Sequence, residues 1–482
     1  MSEAERLDNL GDTAALTDTF DVAVVGAGSA GFSAAITAAE AGARVALIGH
    51  GTIGGTCVNV GCVPSKAMIR AAEALHHARH ASRFEGVKGD AELYDWQALV
   101  AQKQALVNEL REAKYVDLLA AYEQVAYIEG QAWLEEGRVR IDDGRLITAD
   151  KIIVTTGASA AKPDIDGFGD VPFLTSTTAL ELDKPPRSLL VVGGGYIGCE
   201  LAQMFARVGS EVTIVTRSRL LSGGEPEISA ALSRYFEDEG VTVLDDLAYE
   251  HIVTTPNGVV LSIIKSGMSQ VIEAEQVLVA TGRQPNIEGL RLEEMGISLN
   301  KRGGIAVDSQ MRTTHPGIYA AGDVTAQDQF VYMAAYGAKL AAGNALNDDG
   351  EAYDNRAMPA VTFTDPQVAT VGLTEAQALS DGFSVKTSVL DLSSVPRALA
   401  ARDTRGLIKL VADAESGRLL GAHILAPEGS DSIQSAAIAI AQGMSYSALA
   451  EMIFPYLTTV EGLKLAAQTF DKDVSKLSCC AG

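Results

Sequence analysis

Basic residues are scarce beside acidic ones: 38 Lys and Arg stand against 62 Asp and Glu in 482 residues, a net charge of −24. No overall basic surface is available to displace counterions from a phosphate backbone, so nucleic acid is not an expected partner. Cysteine is also sparse, with five in the chain: Cys57, Cys62, Cys199, Cys479 and Cys480. That is too few for a secreted disulfide framework, and two close pairs plus one suit redox or metal chemistry in a reducing compartment. The expected location is cytoplasmic. A basic start followed by an apolar core is missing from the first twenty residues, which carry Glu3, Glu5, Asp8, Asp12 and Asp18. Residues 1–19 therefore read as a flexible tail and not as a signal peptide. Long apolar runs are lacking as well. The uncharged stretch 22–39 contains Gly26, Gly28 and Gly31, which suit a strand, a tight turn and a helix better than a membrane span, so no stable membrane insertion is expected.

What is present points to a folded α/β chain. Hydrophobic residues make up 47% and charged ones 21%, with 47 glycines and 14 prolines, far from disordered or collagen-like bias. At about 100–200 residues per domain, the length suggests roughly three domains. One internal repeat divides them. VAVVGAGSAGFSAA at 22–35 corresponds to LLVVGGGYIGCELA at 189–202, matching Gly26, Gly28 and Gly31 with Gly193, Gly195 and Gly198. In each copy an apolar strand enters a glycine turn and leaves as a helix, the arrangement that lets backbone N–H groups approach a pyrophosphate. Two such copies imply two Rossmann-like dinucleotide-binding domains.

Further turns set the expected boundaries. KIIVTTGA and QVLVATGR each run into Thr-Gly, at Gly157 and Gly282, and TTHPGIYAAGD delivers Asp323 to the carboxyl end of a strand, where open α/β sheets bind ligands. The expected division is a first nucleotide domain in two parts, 20–155 and 283–354, a second over 156–282, and a C-terminal α+β domain over 355–482 that lacks any glycine loop.

The most specific signal is GGTCVNVGCVPSK at 54–66, which carries Gly55, Thr56, Cys57, Cys62 and Lys66. Pro64 is placed to open a helix, and a helix amino terminus favours the thiolate that exchanges with disulfides or binds metal. These motifs resemble those of the flavin-dependent pyridine nucleotide–disulfide oxidoreductases over residues 20–482. The resemblance implies that the first glycine loop, with Gly55, Thr56, Gly157 and Asp323, holds FAD, and that the second holds NADPH. It implies a redox-active Cys57–Cys62 pair with Cys62 nearer the flavin, a Lys66–Glu200 ion pair close to flavin N5, and Tyr196 as a lid that swings aside for nicotinamide. Cys199 reads as core. It also implies a homodimer whose C-terminal domain makes the interface and completes the partner's active site.

Two departures inform the cofactor side. Relatives end the second strand with an acid that binds the adenosine ribose of FAD, whereas this chain has Gly49 followed by His50; His50 or backbone is expected to replace that contact. On the nicotinamide side VTIVT ends at Thr216, followed by Arg217 and Arg219 where NAD enzymes carry an acid, so NADPH is expected.

A third departure concerns the substrate. Disulfide reductases of this family end with a histidine that protonates the leaving thiolate, but here the segment reads FPYLTTVE, with Phe454 and Tyr456 at the histidine positions. A phenol of ordinary pKa near ~10 is a poor acid at neutral pH. The chain ends LSCCAG, and adjacent thiolates on a mobile terminus capture soft metal ions and pass them on by ligand exchange. FPYLTTVEGLK together with Cys479 and Cys480 resembles the mercuric reductase branch of the family, in the form without an amino-terminal metal-binding module. The resemblance implies reduction of Hg(II), delivered by small thiols, with Cys57, Cys62, Cys479 and Cys480 as metal ligands and Tyr456 lining the site. The alternatives are an NADPH-dependent disulfide reductase and a non-catalytic flavoprotein that sequesters thiophilic metals. His76, His77 and His80 read as a solvated helix face.

Overall fold

The computed structural model describes residues 19–347 and 350–473, which divide into two compact units. Among the described residues the first comprises 19–65, 98–161, 283–347 and 350–354; the second comprises 66–97, 162–282 and 355–473.

In the first unit, β1 (Thr19–Val25) is an apolar, β-branched run buried over nearly its whole length. Such runs occupy the centre of parallel sheets covered on both faces. Its neighbours are β2 (Val45–Gly49), itself flanked by β3 (Val125–Glu129), and on the other side Leu146–Val154, which also pairs in parallel with Ile318–Ala320. Two short antiparallel strands, Arg138–Ile141 and Ala132–Glu135, extend the sheet to seven. Between β1 and β2 lies α1 (Ser29–Glu40), whose buried residues are small at Ala30, Gly31, Ala34, Ala35, Ala38 and Ala39, with Phe32 the exception. Small side chains let it pack closely against the alanine-rich helix Val331–Asn347. Leu47 joins the core on this face of the sheet, whereas Ala46, Ile48 and Ile128 join the core on the other.

The second unit repeats the pattern with β4 (Ser188–Val192), α2 (Tyr196–Arg207), β5 (Glu211–Val215) and α3 (Pro226–Asp238). Its parallel sheet runs Thr242–Leu244, β5, β4, Gln276–Val279. A three-stranded antiparallel sheet over Leu247–Thr255, Gly258–Lys265 and Met268–Ala274 interrupts the nucleotide fold; the reading from sequence did not anticipate it. After residue 355 a five-stranded antiparallel sheet forms around Leu419–Ala426, buried at every position, with helices Gly429–Ala441 and Glu461–Gln468 packed on it. Lys409, in the strand beside it, is fully buried. Its ammonium donates to Glu225 at the cap of α3 (2.9 Å), to Glu227 (2.9 Å) and to Glu375 (2.7 Å). The fold is therefore a mixed α/β one with two dinucleotide-binding parts and a C-terminal α+β part, as the repeat implied. No helix among the described residues is long and apolar enough to cross a membrane.

Candidate functional site

Backbone geometry builds the first nucleotide site. Gly26 has φ +118°, and a Cβ there would lie 2.4 Å from the Thr155 carbonyl oxygen; one on Gly31 would lie 1.8 Å from the Gly26 oxygen. Both positions exclude a side chain, so the turn is as tight as the sequence required. Gly28 precedes α1 without a side-chain cap, leaving the helix's first N–H groups for an anion. Against this turn packs the second glycine pair: Gly54 N–H donates to the Ala27 oxygen (3.0 Å), and a Cβ on Gly55 would meet the Gly28 Cα at 2.6 Å. Thr56 follows in the helix Gly55–Asn59. Asp323 opens a short turn just past Ile318–Ala320, where burial raises its pKa and the Arg283 guanidinium 3.5 Å away opposes that rise. Gly157, at φ +73°, accepts from the Asn286 N–H. These residues gather at the carboxyl ends of parallel strands, as ligand sites in open α/β sheets do. A cradle of bare backbone beside an uncapped helix amino terminus fits the diphosphate of FAD.

The thiol pair belongs to the same unit. Cys57 lies in Gly55–Asn59 and Cys62 is the first residue of the helix Cys62–Arg79; both are half-buried. That helix begins two residues before Pro64, which falls in its first turn, where the missing N–H costs nothing. Its amino terminus supplies the positive potential that stabilises a thiolate at Cys62. The loop is clamped by Asn59, whose amide donates to the Ile53 and Gly55 oxygens. Tyr115 is a site residue that sequence did not reveal. Its ring packs edge-on to Phe32, its hydroxyl lies 3.1 Å from that of Ser29, and both its burial and the two nearby cysteines push the phenol pKa up. No local motif marks it, because it reaches the cysteines from about fifty residues along the chain.

In the second unit Gly193 (φ +115°) and Gly198 are equally constrained: added Cβ atoms would lie 2.3 Å from the Ala280 oxygen and 2.0 Å from the Gly193 oxygen. Gly195 precedes α2 without a side-chain cap, and Tyr196, the first residue of that helix, is 46% exposed. Glu200, one turn on, is buried. One carboxylate oxygen accepts from the Lys66 ammonium at 2.6 Å and the other from the Phe363 N–H at 2.8 Å; Lys66 also lies 5.0 Å above the Phe363 ring. The two residues that sequence placed in an ion pair therefore form one. Cys199 is fully buried, and burial pushes its thiol pKa far up, as befits core. At the end of β5, Arg217 is exposed, whereas Arg219 is half-buried and donates to the Gly224 oxygen at 2.7 Å. The uncapped helix and an exposed arginine past the strand end fit a phosphorylated dinucleotide.

Tyr456 is 52% exposed beside Leu457, which takes φ +59° and donates its N–H to the buried Glu461. Cys479 and Cys480 lie outside the described residues. His80 is exposed as expected of a solvated face, but His76 and His77 depart from it. His77 lies 3.1 Å from Asp365, which holds its pKa up, while burial and the nearby Arg207 push His76 down to about 3. Glu73, His77 and Asp365 place ligand atoms within 4.8 Å of one another, yet Asp365 is already bonded to Arg207 (2.9 Å) and Arg405 (3.3 Å). The group is a salt-bridge network and not a cation site.

Residues 20–342 match the family model for pyridine nucleotide-disulphide oxidoreductases, and 358–467 match that family's dimerisation domain. The chain is 46% identical over 468 residues to the mercuric reductase of Streptomyces lividans, covering 96% of this chain and 98% of that one. It is 47% identical over 465 residues to the mercuric reductase of Bacillus cereus, covering 96% and 73%. Among solved structures it resembles the HOCl-induced flavoprotein disulfide reductase RclA from Escherichia coli, at 31% identity and a TM-score of 0.81 over 93% of this chain and 99% of that one. Paired glycine cradles, the half-buried thiols and this similarity agree, and the chain belongs to the pyridine nucleotide–disulphide oxidoreductase family, within which it stands with the mercuric reductases.

Proposed function

We propose that the protein is a homodimeric, cytoplasmic enzyme that reduces Hg(II) to Hg(0) with NADPH, giving NADP⁺ and a proton. The observation that carries this reading is a half-buried CxxxxC pair at a helix amino terminus, in a chain whose FPYLTTVE segment offers an exposed tyrosine where disulfide reductases need an acid. FAD, when bound to the first cradle, supplies passage of two electrons from the nicotinamide to the site. Gly26, Gly28, Gly31, Gly55, Thr56, Gly157 and Asp323 hold it; Gly193, Gly195, Gly198 and Arg217 hold NADPH, with Tyr196 at the entrance. Lys66, fixed by Glu200, provides the cation for the reduced ring. Cys57 and Cys62 ligate the metal through thiolates, which bind Hg(II) strongly and the neutral atom weakly. Cys479 and Cys480 take Hg(II) from small thiols and pass it inward, beside Tyr456, to the thiol pair of a second copy.

NADPH consumption with Hg(II) in excess small thiol, set beside glutathione disulfide and lipoamide, tests the proposal. Metal-dependent oxidation supports it. Turnover of a disulfide alone favours disulfide reduction, and tight metal binding with no NADPH consumed favours sequestration.

Two finer expectations follow. Arg217→Glu should lower kcat/KM for NADPH by about 10–150-fold, the loss of a charge-assisted phosphate contact of about 1.5–3 kcal/mol, and should leave NADH little changed. Arg219→Ala should cost less, since that guanidinium is committed to the Gly224 oxygen. Equal effects of Arg217→Glu on both cofactors would remove the phosphate assignment. The Cys479→Ala, Cys480→Ala variant should still reduce HgBr₂, whose small ligands reach the inner pair unaided. It should use a dithiol complex of Hg(II) poorly, because each outgoing ligand must be replaced stepwise. Unchanged specificity for the dithiol complex would assign the pair no role in delivery.

A further inference from the structure

The end of β2 poses a problem that its neighbour solves. A dinucleotide fold places an acid there to accept from ribose hydroxyls, and this chain has Gly49. That glycine is not spare room. A Cβ built on it would lie 2.8 Å from the Tyr127 hydroxyl, 2.9 Å from the Tyr127 ring and 2.7 Å from the Ala27 Cβ. The phenol of β3 therefore occupies the place where the strand-end side chain would begin, against the middle residue of the Gly26–Ala27–Gly28 turn.

Register supplies the acid. β2 and β3 are parallel, with Leu47 opposite Tyr127 and Gly49 opposite Glu129. Alternate residues of a strand share a face, so Glu129 stands on the face of Tyr127 and Leu47, the one that α1 covers. It is one strand spacing, about 4.8 Å, from the position the usual acid would hold, and it is exposed at the carboxyl end of its strand. His50, the other candidate, lies past the end of β2 and is exposed. Burial and the Glu129 carboxylate hold the Tyr127 phenol at about 12, so it stays a hydrogen-bond donor throughout the working pH range.

We infer that Tyr127 and Glu129 together bind the adenosine ribose hydroxyls of FAD, the acid having moved from the end of β2 to the end of β3. The phenol donates to a ribose oxygen and the carboxylate accepts from a hydroxyl. This rests on the assignment of FAD to the first cradle, and it proposes Tyr127 and Glu129 in place of His50 or backbone for the role.

Reconstitution of flavin-stripped protein, followed by flavin fluorescence, tests it with FAD and with its 2′-deoxyadenosine analogue. Wild type should bind FAD about tenfold or more tightly than the analogue, the scale of one hydrogen bond to a charged group. Glu129→Gln should lose most of that preference, and Tyr127→Phe should weaken FAD binding by a smaller factor. In the Glu129→Gln background, Gly49→Glu combined with Tyr127→Val and Ala27→Gly should restore the preference, a recovery that general misfolding could not produce. Glu129→Gln protein that binds FAD and still discriminates as wild type does would overturn the ribose assignment alone. Wild type that binds no FAD would overturn the flavin assignment and this inference with it.

Discussion

Cys62→Ser and Cys57→Ser should each abolish Hg(II)-dependent NADPH oxidation, a loss of roughly 10³-fold or more, as expected when one member of a pair that acts as a unit is removed. A serine hydroxyl is neither a soft ligand nor an acceptor of electrons from the flavin. The two variants should differ in colour. Cys62 begins the helix Cys62–Arg79, where the N–H groups of the first turn favour its thiolate, while Cys57 lies inside the five-residue helix Gly55–Asn59. The long-wavelength thiolate-to-flavin absorption expected on reduction by NADPH should therefore persist in Cys57→Ser and vanish in Cys62→Ser. The reverse pattern would exchange the roles of the two sulfurs, and retained activity in either variant would remove the pair from the chemistry. Lys66→Met should leave both thiols able to bind Hg(II), which separates loss of the cation from loss of the ligands.

Arg207→Met should have the largest effect on stability. The guanidinium, 4% exposed, bonds to Glu239 at 2.7 Å and to Asp365 at 2.9 Å, and those carboxylates are 10% and 7% exposed. Removing one partner of a buried pair leaves charge uncompensated at a cost of about 3–5 kcal/mol. The lower end applies here, because Arg405 also reaches both carboxylates. The midpoint of chemical unfolding should fall with its slope unchanged. The effect carries a pH signature. In the wild type the Asp365 pKa is held well below its ordinary value by His77, Arg207 and Arg405 against the opposing effect of burial. Its contribution is therefore present above the unfolded value of about 3.9 and is lost as pH falls through the lower folded value. Without Arg207 the Asp365 pKa should rise towards its ordinary value, so the gap between variant and wild type should hold steady near neutral pH and narrow as pH falls below about 4. A gap that stays constant as pH falls through that range would mean that the arginine acts through packing alone.

Much of this site was legible in the sequence because its constraints are local. Gly26, Gly31, Gly193 and Gly198 are set by turns in which a Cβ would strike backbone a few residues or one strand away, and the motif from Gly54 to Lys66 is one contiguous segment. The Lys66–Glu200 pair joins distant positions, yet each member sits in a recognisable motif. What stayed hidden depends on chain that returns from afar. Tyr115 and Tyr127 lie in segments with no signature of their own, and His77 finds Asp365 288 residues later. A charged helix face with three histidines reads as solvated until the turn that carries Asp365 is in place. Arg219, whose position suggests a phosphate ligand, donates to the Gly224 oxygen of its own loop, a contact that no motif in the sequence marks. The sheet over 247–274 carried its own signal, strands of alternating polar and apolar residues with Asn257-Gly258 and Ser266-Gly267 at the two turns, but the stronger glycine-loop repeat on either side of it overshadowed that pattern.

The buried Lys409 has a consequence for how the second unit comes apart. Its ammonium is held by the cap and first turn of α3 and by Glu375, while its backbone belongs to the five-stranded sheet. Withdrawing α3 takes two of the three carboxylates from a cation buried inside the sheet and leaves Glu375 alone with it, so the helix and the sheet part only at an electrostatic penalty. The nucleotide-binding part and the C-terminal part of this unit should therefore melt as one cooperative block instead of two independent modules, although their sequences read as separate domains.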